Sequence, residues 1–106
     1  MIHIWWDEAG YPDDASIKCI PDLVFHDFEV EVESAWNFLK RVLKECSDNN
    51  CSGCYFVTTP DYEEIHFMTG GWSGAEELIF AIQKNVWLHY YLFSWQRGGL
   101  YVFRKE

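Results

Sequence analysis

The chain's 106 residues suit a single domain, 1–106, with length for one core. Its 17 acidic against 8 basic side chains leave a formal net charge of −9, which argues against direct binding to a nucleic acid backbone and suits solubility or a basic partner. No apolar run approaches the ~20 residues of a membrane span, so the 19% aromatic content belongs in a core or on a contact face.

The N-terminal run Met1-Ile2-His3-Ile4-Trp5-Trp6-Asp7-Glu8 has neither a basic segment nor a long apolar stretch. It is therefore not read as a signal peptide, and a cytoplasmic location with reduced cysteines is expected. Ile2 to Trp6 alternates as a short edge strand. Gly10, Pro12 and several Asp make residues 7–16 a loop. Ile17 to Ile20 reads as a brief extended piece before Pro21-Asp22. Leu23 to Glu33 reads two ways: Phe28-Glu29-Val30-Glu31-Val32-Glu33 alternates like a strand, yet a helix could begin as early as Asp27.

The helix itself is clear, with its cap at Ser34 or a few residues before. Ala35, Phe38, Leu39, Val42, Leu43 and Cys46 form one face, and Ser47-Asp48-Asn49-Asn50 closes it. Gly53–Thr59 and Glu63–Met68 read as strands of a hairpin turned by Pro60-Asp61. Gly70-Gly71 suits a sharp corner. Ser73 and Glu76 then have capping-box spacing before a helix with Ala75, Leu78, Ile79 and Ile82 on one face and Asn85 as its stop. A phosphate-cradling loop is disfavoured here, because no G-x-x-x-x-G-K-[ST] is present and Glu76 and Glu77 would repel an anion.

Val86 to Gln96 is rich in β-branched and aromatic residues without Pro or Gly, and reads as one long strand. Alternation then gives a face of Trp87, His89, Tyr91, Phe93 and Trp95, opposite Val86, Leu88, Tyr90, Leu92 and Ser94. A three-residue loop, Arg97-Gly98-Gly99, would pair Gln96 with Leu100, Trp95 with Tyr101 and Phe93 with Phe103. The expected fold is α+β: a mainly antiparallel sheet of four or five strands with two helices packed on one face, the last hairpin at or near its centre.

The run Gly70-Gly71-Trp72-Ser73-Gly74 with Glu76, followed by Arg97-Gly98-Gly99-x-Tyr101-x-Phe103, resembles small uncharacterised proteins of tailed bacteriophages and prophages. Ala75 and Leu100 depart from that pattern, where Asn and His are usual. The resemblance covers the last third of the chain. It implies a phage or prophage origin and no particular activity.

Three constellations invite chemistry. Cys46, Cys51 and Cys54 have C-x4-C-x2-C spacing, and Cys19 or His66 would complete a zinc site. No second close C-x-x-C or H-x-x-x-H accompanies them, so small apolar packing residues are the favoured reading and no cofactor is expected. A thioredoxin-like pair is disfavoured because Cys51-Ser52-Gly53-Cys54 precedes a strand. His3, His66 and His89 would share a sheet face, as metal ligands or as fillers of a half-buried surface. With no G-x-S-x-G elbow and no placed acid–base pair, an enzyme is not expected.

The aromatic face is either a second core, covered by the segment before the first helix, or a contact site. On the second reading Trp87, Tyr91, Phe93, Trp95, Trp72 and Arg97 bind a protein partner. The expected function is then a non-catalytic, phage-type accessory protein acting on a host or phage protein, such as an inhibitor of a host defence or nucleic-acid-handling system. The alternatives are an immunity protein against a basic toxin and a small zinc- or ligand-binding module.

Overall fold

The computed structural model describes residues 3–25, 33–49 and 53–106. Asp13 caps the first helix, α1 (Asp14–Cys19), by accepting from the Ser16 amide at 2.9 Å. Pro21 sits at the start of the 3-10 turn Ile20–Asp22 that follows. The extended piece expected at Ile17–Ile20 is thus helical: the Asp13 cap outweighs the weak strand preference of two isoleucines. Of the strand expected at 2–6, Ile2 lies outside the described residues, and His3 to Trp6 form no strand beyond one bridge from Trp6 to Pro12. The chain folds back there instead, with the Trp5 carbonyl accepting from Asp13 and the Trp5 amide donating to Ser16 Oγ. The alternating run Phe28–Glu33 falls almost wholly outside the described residues.

The helix α2 (Ala35–Asn49) begins as expected, with Ser34 Oγ accepting from the Asn37 amide at 3.1 Å. It runs to Asn49, within the expected closing run, its last turn helped by the Lys44–Asp48 ion pair and by Asn49 Nδ2 donating to the Glu45 carbonyl. Strands β1 (Gly53–Thr58) and β2 (Glu63–Met68) form the expected hairpin. Thr59 Oγ1 tightens its turn by accepting from the Asp61 and Tyr62 amides.

Gly70 and Gly71 take φ of +63° and +75°, which makes the corner, and α3 (Ser73–Lys84) follows. The expected capping box does not form. Trp72 is the N-cap and makes no side-chain cap bond, the Glu76 amide donates to the Trp72 carbonyl, and Ser73 Oγ lies 3.4 Å from the Tyr11 hydroxyl. Packing decides this: the Trp72 ring lies 4.4 Å from that of Tyr11 and crosses Gly74, where any Cβ would collide with it.

The largest departure is at Val86. Val86–His89 is a helical turn, α4, and only Leu92–Gln96 is strand, β3. Asn85 is fully buried; its Oδ1 accepts from the Trp87 and Leu88 amides, starting a new helix where a strand was expected. Trp87 and His89 therefore do not share a strand face with Phe93 and Trp95.

The three-residue loop to β4 (Leu100–Lys105) is as expected, pairing Gln96 with Leu100 and Trp95 with Tyr101. A register shift then puts Leu92, not Phe93, opposite Phe103. Phe103 is buried, and Phe93 is exposed, with the Arg104 guanidinium over its ring.

The sheet is antiparallel throughout, in the order β1-β2-β4-β3, so β4 is central and β3 is an edge. Ile65 pairs with Phe103 and Phe67 with Tyr101. These four belong to one buried cluster with Phe38, Leu39 and Leu43 of α2 and Leu78, Ile79 and Ile82 of α3. The architecture is α+β with helices on one face. Alternation leaves Glu64, His66, Val102 and Arg104 on the other, open face.

Candidate functional site

The described surface carries several exposed rings, and the fold divides them. Asn85 holds α4 so that Val86, Trp87 and Tyr90 project outward, 77%, 41% and 82% exposed, while Leu88 is buried. A shallow depression of about 390 Å³ lies beside them, lined by Ala35, Val86, Trp87, Tyr90 and Tyr91. Tyr91 is half-buried and anchored by Trp36, whose ring centre is 5.2 Å away. A second depression of about 490 Å³ shares Tyr90 and Tyr91 and continues to Leu92, Phe93, Arg104, Lys105 and Glu106. Trp87, Tyr91 and Phe93 thus flank one continuous surface at the start of β3.

Trp72 and Arg97 are elsewhere. Gly99 accepts from the Thr69 amide, which places the β3–β4 turn by the glycine corner, at the end of the sheet away from Arg104. Trp95, 59% exposed, lies on the helix side of β3, its ring 6.4 Å from that of Tyr101. The six residues expected to bind a partner are therefore split between the two ends of the sheet. Val86 and Tyr90 were missed, because a strand reading turned them toward the core. Their i, i+4 spacing directly after Asn85 is the signal that a capped helical turn would have given.

On the open face, Arg104 lies between two rings, 4.1 Å from the centre of Tyr62 and 3.8 Å from that of Phe93. Its Nε and Nη2 donate to Glu64 Oε2 at 2.8 and 2.7 Å, while Glu64 Oε1 is 3.0 Å from His66 Nε2. His66 stacks on Tyr55 at 4.7 Å. Neighbouring side chains shield Glu64, which is 8% exposed, although no described helix covers this face. The hydrogen bond to His66 holds its carboxyl below the ordinary value against the opposing effect of burial, and Arg104 adds to the lowering.

A depressed carboxyl contributes stability that is fully present above its unfolded value and fades as pH falls through its folded value. Glu64→Gln is therefore expected to lower the melting temperature at pH 7. The gap to the native chain should narrow as pH drops below about 4.3, the ordinary glutamate value. Thermal melts of both chains from pH 7 to 2.5 check this. A gap that stays constant across the range would show that the carboxylate charge is not what holds Arg104.

The residues considered for zinc do not converge through His66. Cys54 pairs with Phe67 on the helix side of the sheet, whereas His66 is on the open side. Cys46 is buried in α2, Cys19 is exposed on α1, and Cys51 lies outside the described residues. Burial pushes the Cys54 thiol up to about 11. Among the described residues no three His, Cys, Asp or Glu side chains gather as a metal site. The three histidines do not share a face either: His89 Nδ1 donates to the Gln83 carbonyl at 3.0 Å, and His3 is beside Trp5.

Chemically, the α4 depression is a surface that can desolvate an apolar partner group: it is lined by aliphatic and aromatic side chains. No described helix is long and apolar enough to cross a membrane. No family model, curated protein or solved structure matches this chain.

Proposed function

We propose that this chain is a non-catalytic protein-binding module, with the surface of Val86, Trp87, Tyr90 and Phe93 as its docking site. The observation that carries this reading is the outward projection of Val86, Trp87 and Tyr90 from a turn fixed by a buried asparagine. Large apolar side chains on a backbone turn already fixed cost less ordering on binding, which suits interface anchors.

Charge supports a basic partner. The net charge of −9 is able to steer a basic surface toward the chain. The particular role is an accessory protein of phage type, acting on a host or phage protein such as a defence or nucleic-acid-handling factor. That role draws on the resemblance of residues 70–76 and 97–103.

The test is affinity capture from bacterial lysate with native chain and a Trp87→Ser/Tyr90→Ser variant. A basic protein should be retained by the native chain and released by salt. Loss of two anchors should weaken it by about 30-fold or more, at ~2 kcal/mol for a central anchor. Capture equal in both chains would overturn the assignment of this surface.

A further inference from the structure

The two edges of the sheet differ. At β3 the register shift at Phe93 breaks the outer row of backbone groups, and such irregularity blunts an edge. At β1 all six residues stay in unbroken register with β2, from Gly53 opposite Met68 to Thr58 opposite Glu63. The strand Gly-Cys-Tyr-Phe-Val-Thr contains no charge and no proline. Among the described residues nothing pairs with its outer side. Tyr55 and Phe56 remain 49% and 42% exposed at its middle. Within the strand itself there is no charge, proline or bulge of the kind that protects a sheet edge.

We propose that β1 is a self-association edge, at which a second copy of this chain adds its own β1 antiparallel. The resulting sheet would run β3-β4-β2-β1-β1-β2-β4-β3 through both copies. A two-fold axis perpendicular to the sheet makes a strand its own partner, provided that a residue near the middle, Tyr55 or Phe56, faces itself. Both copies then keep their helices on the same side, so the apolar and polar faces continue across the junction.

Charge placement selects a second copy over a basic strand. A chain of net charge −9 repels itself over most of its surface. At β1, however, the strand is neutral, and the neighbouring groups are of mixed sign: Lys40 over the Phe56 ring and paired with Glu63, and Lys44 paired with Asp48. A basic strand would find no unpaired carboxylate on β1 to select it. The inference does not rest on the α4 surface, which adjoins the other edge of the sheet.

Six-residue strands bury less than the ~1,200 Å² of a standard interface, so the association should be weak and visible only at high concentration. Analytical ultracentrifugation from about 1 to 500 µM should show a shift from one chain to two. Tyr55→Lys/Val57→Lys should remain a single chain throughout, because lysines then oppose one another, or Gly53, across either dyad. The variant's circular dichroism should match the native spectrum.

Hydrogen exchange of the native chain supplies the check that needs no variant. Alternate amides within Gly53–Thr58 should gain protection at high concentration, and β3 amides should not. A native chain that stays single to about 500 µM overturns the proposal. So does association that leaves β1 amides unprotected, or protection by a non-self basic peptide alone.

Discussion

Asn85→Ala is expected to lower stability by about 3 kcal/mol, from roughly 1 for a lost cap and about 2 for the two tether hydrogen bonds to the Ile20 and Leu23 carbonyls. For a domain of this size that is a fall in melting temperature of about 15 °C. Asn85 is fully buried and uses both ends of its amide. Oδ1 accepts from Trp87 and Leu88 at 2.9 and 3.2 Å, and Nδ2 donates to the carbonyls of Ile20 and Leu23, both at 2.8 Å. It also ends α3, through its amide to Ile82, and begins α4, through its carbonyl from His89.

Asn85→Asp separates the two roles. The carboxylate keeps the acceptor for α4 but sets oxygen against the Ile20 and Leu23 carbonyls. If the tether to the N-terminal segment matters, Asp is as damaging as Ala at pH 7. If the cap matters more, Asp is less damaging than Ala, the remaining loss being the burial of its charge. Thermal melts of the three chains decide. Because α4 carries Val86, Trp87 and Tyr90, the Ala variant should also lose partner capture before it unfolds globally.

Gly99→Ala is expected to cost about 2–3 kcal/mol, and Gly98→Ala only about 1. Both glycines have positive φ, +93° at Gly98 and +84° at Gly99, so both substitutions carry backbone strain. The surroundings differ. A Cβ on Gly98 meets nothing within 4 Å, whereas on Gly99 it runs into Oγ1 of the fully buried Thr69. The same pair of residues is joined by the Thr69 amide donating to the Gly99 carbonyl at 3.0 Å. Denaturant unfolding of the two single variants measures the difference. Adding Thr69→Ala to Gly99→Ala should recover part of the loss, since the collision goes and the strain stays. Equal costs at the two glycines would show that the turn relaxes freely and does not fix the hairpin.

These two positions show how far the sequence could be read. The Arg97-Gly98-Gly99 loop and the register beside it were legible, because two glycines between aromatic strands admit few turns and only one keeps Trp95 with Tyr101; the shift that places Leu92 rather than Phe93 opposite Phe103 was not. The α2 face was legible from its period, and the β1–β2 hairpin from its strand residues and turn. Asn85 was legible only as a helix stop. That it also starts another helix depends on two carbonyls 62 and 65 residues away, which hold its side chain in place. Local propensity favoured a strand through Val86-Trp87-Leu88, and that tertiary contact overrode it. The candidate site followed the error: Val86 and Tyr90 became visible only once the turn was helical.

Short-range chemistry in the chain itself set the class of fold, the helix periods, the glycine corner, the turn of the final hairpin and the strong acidity. Each depends on neighbours within a few residues, or on composition alone. Tertiary structure decided that Trp72 rather than Ser73 caps α3, that α4 interrupts the aromatic run, that Phe93 turns outward to Arg104, and that His66 and Cys54 face opposite ways. Those outcomes required rings, carbonyls and charges distant in the chain to meet, and their energies exceed the fraction of a kcal/mol by which local preference separates helix from strand.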